Sequence, residues 1–132
     1  MKNIIHYLAL ILITISFSSC EDVVDVDLNT AKPRLVIDAS IKWQKGTSGN
    51  EQKIKLSTTT DYFSNVIPVV SGATVFITNS SNAVFDFIEV PSTGEYVCSN
   101  FNPVVNETYI LTVQVAGNTY TATQKLMATP VI

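Results

Sequence analysis

The sequence predicts an all-β protein, an antiparallel two-sheet sandwich of about seven strands behind a signal peptide and an extended acidic tether. From residue 20 onward the chain holds 16 Val, 14 Thr and 8 Ile, and β-branched residues favour strands. Apolar and polar residues alternate with a period of two along most of the chain, and no helical period is sustained. All five glycines and all five prolines fall between the alternating runs, where turns are expected.

Each alternating run defines one predicted strand, and each gap between runs carries turn residues. Short polar segments, Q-K-G-T-S-G-N-E, N-S-S-N and P-S-T-G, separate several runs, and in A-G-N the pair Gly117-Asn118 suits a tight hairpin. A single flat sheet would leave one apolar face in water, so two faces are expected to pack together. The predicted strands are 34–43, 53–59, 73–78, 83–90, 95–99, 108–115 and 119–124.

The N-terminus has the layout of a secretory signal, with Lys2, an apolar run from Ile4 to Phe17, and then Ser-Ser-Cys. That run is too short to span a bilayer core of about 30 Å as a helix. F-S-S-C resembles the bacterial lipobox, which implies that residues 1–19 are removed and that Cys20 is lipidated. The alternative is an ordinary signal peptide followed by an incidental cysteine.

An acidic segment follows Cys20 and predicts a solvated tether over residues 20–33. It contains Glu21, Asp22, Asp25 and Asp27. Acids just behind a lipidated cysteine resemble the signal that sends Bacteroidota lipoproteins to the outer face of the outer membrane. The lipid would therefore fasten the protein to the outer membrane, with its body exposed at the cell surface. The alternative is the enterobacterial rule, by which an acid directly after the cysteine, here Glu21, indicates retention at the inner membrane.

The composition argues against several classes of function. A net charge of −3 and a pI near 4.9, without a basic stripe, argue against a nucleic-acid partner. His6 is the only histidine, and it is removed with the signal peptide. Histidine-based catalysis and histidine-bound zinc are therefore not expected. We predict no cofactor, no metal site and no enzyme activity. The remaining enzyme hypothesis is a hydrolase with paired carboxylates, although Asp86 and Glu89 should point to opposite faces of one strand. Its candidates are Asp38, Glu51, Asp61, Asp86, Glu89, Glu95 and Glu107.

The longest irregular segment, Thr60 to Gly72, carries two adjacent aromatic residues, Tyr62 and Phe63. Long loops on rigid sandwiches often carry binding residues, and aromatic side chains are common anchors at protein interfaces. Tyr62 and Phe63 are therefore the candidate partner-binding residues. The alternative is that both rings fold back as a lid over one end of the sandwich.

Several segments of the sequence resemble known protein families. T-G-E-Y-V-C, ending at Cys98, resembles the tyrosine-corner strand of immunoglobulin domains, but the upstream cysteine expected before Trp43 is missing, so Cys98 is predicted to be a small buried side chain. V-S-G-A-T-V and Y-I-L-T-V resemble transthyretin-like and carboxypeptidase-regulatory domains. An ordered set of five segments resembles domain of unknown function family 4249, an uncharacterised family of Bacteroidota outer-membrane lipoproteins. The segments are C-E-D-V-V-D-V-D-L-N, R-L-V-I-D-A-S-I, K-L-S-T-T-T-D-Y-F, V-S-G-A-T-V-F-I and Y-I-L-T-V-Q-V-A-G-N-T-Y-T-A-T.

The family resemblance implies a role and a domain organisation. Members are often encoded beside TonB-dependent receptors, which implies a non-enzymatic accessory role in nutrient capture, with such a receptor as partner. Members are also longer, so the domain over residues 34–126 and the tail over 127–132 are expected to be the front part of a larger protein. The alternative function is a stand-alone adhesin that binds glycan or protein.

Overall fold

The computed structural model describes residues 3–4, 6–7 and 31–129, and the chain divides into two units, Met1–Thr30 and Ala31–Ile132. The four described residues of the first unit are helical. Cys20 and the tether as far as Thr30 lie outside the described residues, so the lipidation and the tether stay predictions. No helix within the described part of the chain is both long and apolar enough to cross a membrane.

The second unit is built from seven antiparallel strands, which confirms the predicted all-β class. Six of them lie within one residue of their predicted bounds at both ends. They form one sheet in the order β1-β2-β5-β4-β3-β6-β7. The strands are β1 (Leu35–Ala39), β2 (Gln52–Thr58), β3 (Thr74–Asn79), β4 (Val84–Val90), β5 (Glu95–Cys98), β6 (Thr108–Val115) and β7 (Asn118–Lys125).

Strand β4 joins the two halves of the fold. Its first part, Val84 to Phe87, pairs with β3, and its last part, Ile88 to Val90, pairs with β5. The sheet curls at this strand, so the two opposed apolar layers belong to one continuous sheet rather than to two separate sheets. A curled sheet satisfies the same need to bury its apolar face, because its two halves cover each other.

The core lies between these two halves and follows the predicted alternation. Tyr96, Leu56 and Val113 are fully buried, and Phe101 from the β5–β6 connection packs between the rings of Phe85 and Tyr109, with centroid distances of 4.6 and 5.2 Å. The predicted burial of Cys98 is confirmed, since the residue is 1% exposed and its free thiol donates a hydrogen bond to the side chain of Asn100. The other buried apolar residues are Ile54, Val75, Ile77 and Phe87.

Strand β1 is shorter than predicted, and Trp43 lies outside the core. The side-chain amide of Gln52 accepts a hydrogen bond from the backbone N–H of Lys42 (2.9 Å) and donates to its carbonyl (2.8 Å). The N–H and C=O groups of Lys42 therefore have hydrogen-bond partners without a neighbouring strand. The alternating sequence pattern continues beyond Ala39, but the strand ends there. Trp43 is 42% exposed and its indole N–H donates to the carbonyl of Thr47, so the immunoglobulin-type core tryptophan is absent at this position.

The hairpin between β6 and β7 turns one residue earlier than predicted. Ala116 and Gly117 both have positive φ, 49° and 77°, which is the backbone of a type I′ turn, and Asn118 is already the first residue of β7. Alanine is a poor choice for this conformation, because its Cβ meets the neighbouring carbonyl.

Replacing Ala116 by asparagine should therefore stabilise the domain, because asparagine tolerates positive φ and Asn-Gly is the preferred type I′ pair. We expect Ala116→Asn to raise the free energy of unfolding by about 0.5–1 kcal/mol, measured by urea denaturation. Gly117→Ala is the matched control and should lower it by about 1 kcal/mol, although no atom would touch the added Cβ. Equal stability of the wild type and the two variants would contradict this account of the turn.

Candidate functional site

The connection between β2 and β3 projects a cluster of apolar side chains into solvent. Tyr62 is 84% exposed, Phe63 74%, Val66 72% and Ile67 65%. These four residues, called here the apolar loop tip, are large hydrophobic side chains that contribute almost nothing to the core. Clustered exposed apolar residues of this kind are typical of contact sites for other molecules.

The geometry of the tip excludes the lid alternative. The rings of Tyr62 and Phe63 contact each other edge to face, with centroids 5.2 Å apart and planes at 84°, and neither covers the end of the domain. A turn in which the N–H of Ser64 donates to the carbonyl of Asp61 (2.9 Å) presents the two rings. The structure thus leaves both candidate residues free to meet a partner, and their role in binding stays a prediction.

The base of the loop is held against β2. The N–H of Thr58 donates to the carbonyl of Pro68 (3.0 Å), and the N–H of Val70 donates to the carbonyl of Leu56 (3.1 Å). Ser57 and Val69 form an isolated antiparallel bridge. The segment after the tip therefore runs alongside β2, which holds the base of the loop in place.

A buried hydroxyl and a carboxylate fix the return of the loop into β3. The Tyr96 hydroxyl donates to the carbonyl of Val70 and accepts the N–H of Ala73, both at 3.1 Å. The Glu89 carboxylate accepts the N–H of Gly72 at 2.8 Å. Burial raises the pKa of Tyr96, which therefore stays a neutral donor, whereas the N–H of Gly72, followed by the Ser71 side chain, lowers the pKa of Glu89.

Of the candidate carboxylates, Glu89, Glu95 and Glu107 make local contacts. As predicted, Asp86 and Glu89 lie on opposite faces of β4, with Asp86 on the exposed face. Glu95 forms an ion pair with Lys53 at 2.9 Å, and hydrogen bonds from Ser80 lower the pKa of Glu107. Within the described ranges, no group of three or more His, Cys, Asp or Glu side chains could hold a metal ion.

A second candidate site, which the sequence did not predict, is a cleft of about 460 Å³ between the ends of β1 and β7. Its volume lies in the range of small-molecule sites. The sequence could not predict this cleft, because its walls include the ends of β1 and β7. These two strands lie at opposite ends of the sheet order, and only the curl of the sheet brings them together. Its apolar lining includes Ile41, Ile54, Ile77, Phe87, Leu111, Leu126 and Met127, and its polar lining includes Gln52, Gln124 and Lys125.

The importance of the Tyr96 hydroxyl can be tested with Tyr96→Phe, which leaves the Val70 carbonyl without its donor. We expect a loss of about 1–3 kcal/mol in the free energy of unfolding and faster amide hydrogen exchange at Val70 and Ala73. Tyr109→Phe is the control, because that hydroxyl binds Asn102 and Val104 in a different connection. The account fails if both variants speed exchange equally in the β2–β3 loop.

Comparison with known proteins identifies a family. The model of the family described as Domain of unknown function (DUF4249) matches residues 21–132, which is most of the chain. No curated protein and no solved structure matches the chain. The match covers the strands, the loop tip and the cleft described above, and the chain belongs to the DUF4249 family.

Proposed function

We propose that this protein is a non-enzymatic lipoprotein of a Bacteroidota outer membrane, anchored through Cys20 and exposed at the cell surface, where it assists a TonB-dependent receptor in nutrient capture. The apolar loop tip is the observation that carries the proposal. The family match and the F-S-S-C sequence support the setting, and the tip supplies a surface through which the protein would contact its partner.

The tip suits contact with a protein for two physical reasons. Tyr62 and Phe63 offer large aromatic surfaces, and aromatic anchors contribute a large share of binding energy at interfaces. The bonds of Tyr96, Glu89 and β2 hold the base of the loop in place. A loop that is already ordered loses less conformational entropy when it binds.

The tip can be tested by co-purification. The double variant Tyr62→Ser/Phe63→Ser should recover at least about tenfold less TonB-dependent receptor from solubilised outer membranes, because truncating interface anchors costs about 2 kcal/mol or more. Ile88→Thr is the matched control: this residue is 70% exposed on β4, outside the loop tip, and should leave recovery unchanged.

Two outcomes of that experiment would contradict the proposal. One is undiminished receptor recovery with the double variant, which would refute the loop tip as the contact surface. The other is a wild-type protein that recovers no receptor yet binds polysaccharide or a foreign protein through the same tip. The second outcome would favour a stand-alone adhesin, since exposed aromatic rings serve that function equally well.

The lipid anchor is tested separately by Cys20→Ser. Without the acylated sulfur the protein should move from the membrane fraction to the soluble fraction, because each buried CH₂ of an acyl chain contributes about 0.8 kcal/mol. Cys98→Ala is the control and should stay with the membrane, since this thiol is buried in the domain core. Membrane retention of Cys20→Ser would contradict lipidation at this residue.

A further inference from the structure

Strand β7 forms one free edge of the sheet. It pairs with β6 on one side, and within the described residues no strand pairs with its other side. All eight of its residues are exposed. The opposite edge, β1, is only five residues long, so β7 is the more extensive unpaired edge.

The hydrogen-bond pattern shows which backbone groups of β7 face outward. Leu126 donates its N–H to Glu107 (2.9 Å) and accepts the N–H of Asn106 (2.7 Å), so both of its groups point toward β6. The direction alternates along an antiparallel strand, so the even-numbered residues of β7 also face β6. The N–H and C=O groups of Thr119, Thr121, Thr123 and Lys125 therefore point to the free edge.

This edge lacks the features by which proteins usually block strand pairing. Its sequence, N-T-Y-T-A-T-Q-K, contains no proline, and its only charge lies at the last residue. Natural edge strands are usually protected by charges, prolines, bulges or short length. β7 is therefore a template for one more antiparallel strand.

We propose that β7 pairs with β7 of a second copy of this chain, antiparallel about a two-fold axis through Ala122. In this register Thr121 lies opposite Thr123 of the second copy, and Thr119 lies opposite its Lys125. All four residues with outward backbone groups then gain partners in both copies, which is the largest number that β7 can satisfy with itself.

Side-chain chemistry supports this register. The two Lys125 side chains lie at opposite ends of the pair, about 20 Å apart, so no like charges oppose each other. Threonine pairs across the strands on the outer face are favourable, and the small Ala122 lies on the axis, where the strands approach most closely. The edge is thus complementary to itself.

Pairing would also cover part of the cleft. Ala122 and Gln124 line the cleft, and the register puts Tyr120 of the second copy directly opposite Gln124 on the same face of the sheet. Tyr120 is 40% exposed in the single chain. Each copy would thus bring an aromatic ring to the mouth of the other's cleft, which adds apolar burial to the backbone hydrogen bonds.

Cysteine cross-linking of the full chain in membranes tests the register. Ala122→Cys should form a disulfide-linked dimer under mild oxidation, because the two residues oppose each other at the axis, where Cα atoms are about 4.5 Å apart. Tyr120→Cys is the matched control: its symmetry mate lies about 13 Å away along the strands, so its cross-linking should not exceed that of the wild type. Equal cross-linking of both variants, or none for Ala122→Cys, would overturn the proposal.

The oligomeric state gives a second, independent test. Thr121→Pro removes an outward N–H without touching the bonds to β6, and should convert a dimer of the detergent-solubilised chain into a monomer, measured by light scattering. Thr121→Val keeps the N–H and should remain a dimer. Unfolding curves of both variants serve as the control for folding. A wild-type monomer, or a folded Thr121→Pro dimer, would refute the pairing.

Discussion

A single antiparallel sheet with one apolar face must bury that face against itself, and the architecture of this domain follows from that requirement. Strand β4 makes the burial possible, because its first residues pair with β3 and its last residues pair with β5. The two halves of the sheet then face each other around Tyr96, Leu56 and Val113. The curl leaves the two end strands, β1 and β7, unpaired with each other and opens a cleft between their ends.

The same core positions the candidate interface. Tyr96 is fully buried, yet its hydroxyl reaches the backbone where the β2–β3 loop returns to the sheet. The hydrogen bonds and the β2 bridge hold the base of this loop, while Tyr62 and Phe63 remain in solvent. Rigid support beneath an exposed apolar tip is the arrangement expected of a binding loop, because little entropy is lost when the tip meets a partner.

Two surfaces of the domain therefore suit contact with other proteins, and they differ in kind. The loop tip offers aromatic side chains, whereas the free edge of β7 offers backbone hydrogen-bonding groups beside side chains that are uncharged except for Lys125. Side-chain anchors and strand addition are separate modes of recognition, so one protein can use both at once. A second copy on β7 would place two loop tips in one assembly.

The sequence by itself determined the positions of six strands, the segments in which the chain turns and the burial of Cys98, because period-two alternation and turn residues are local signals. It also singled out Tyr62 and Phe63 through the length of their loop. It did not reveal that β1 stops at Ala39, since the Gln52 side chain that takes up the backbone of Lys42 comes from another strand. Only the tertiary structure decided the curl at β4, the exposure of the loop tip, the cleft and the free edge of β7, because each depends on which distant strands become neighbours, and alternation alone carries no information about strand order.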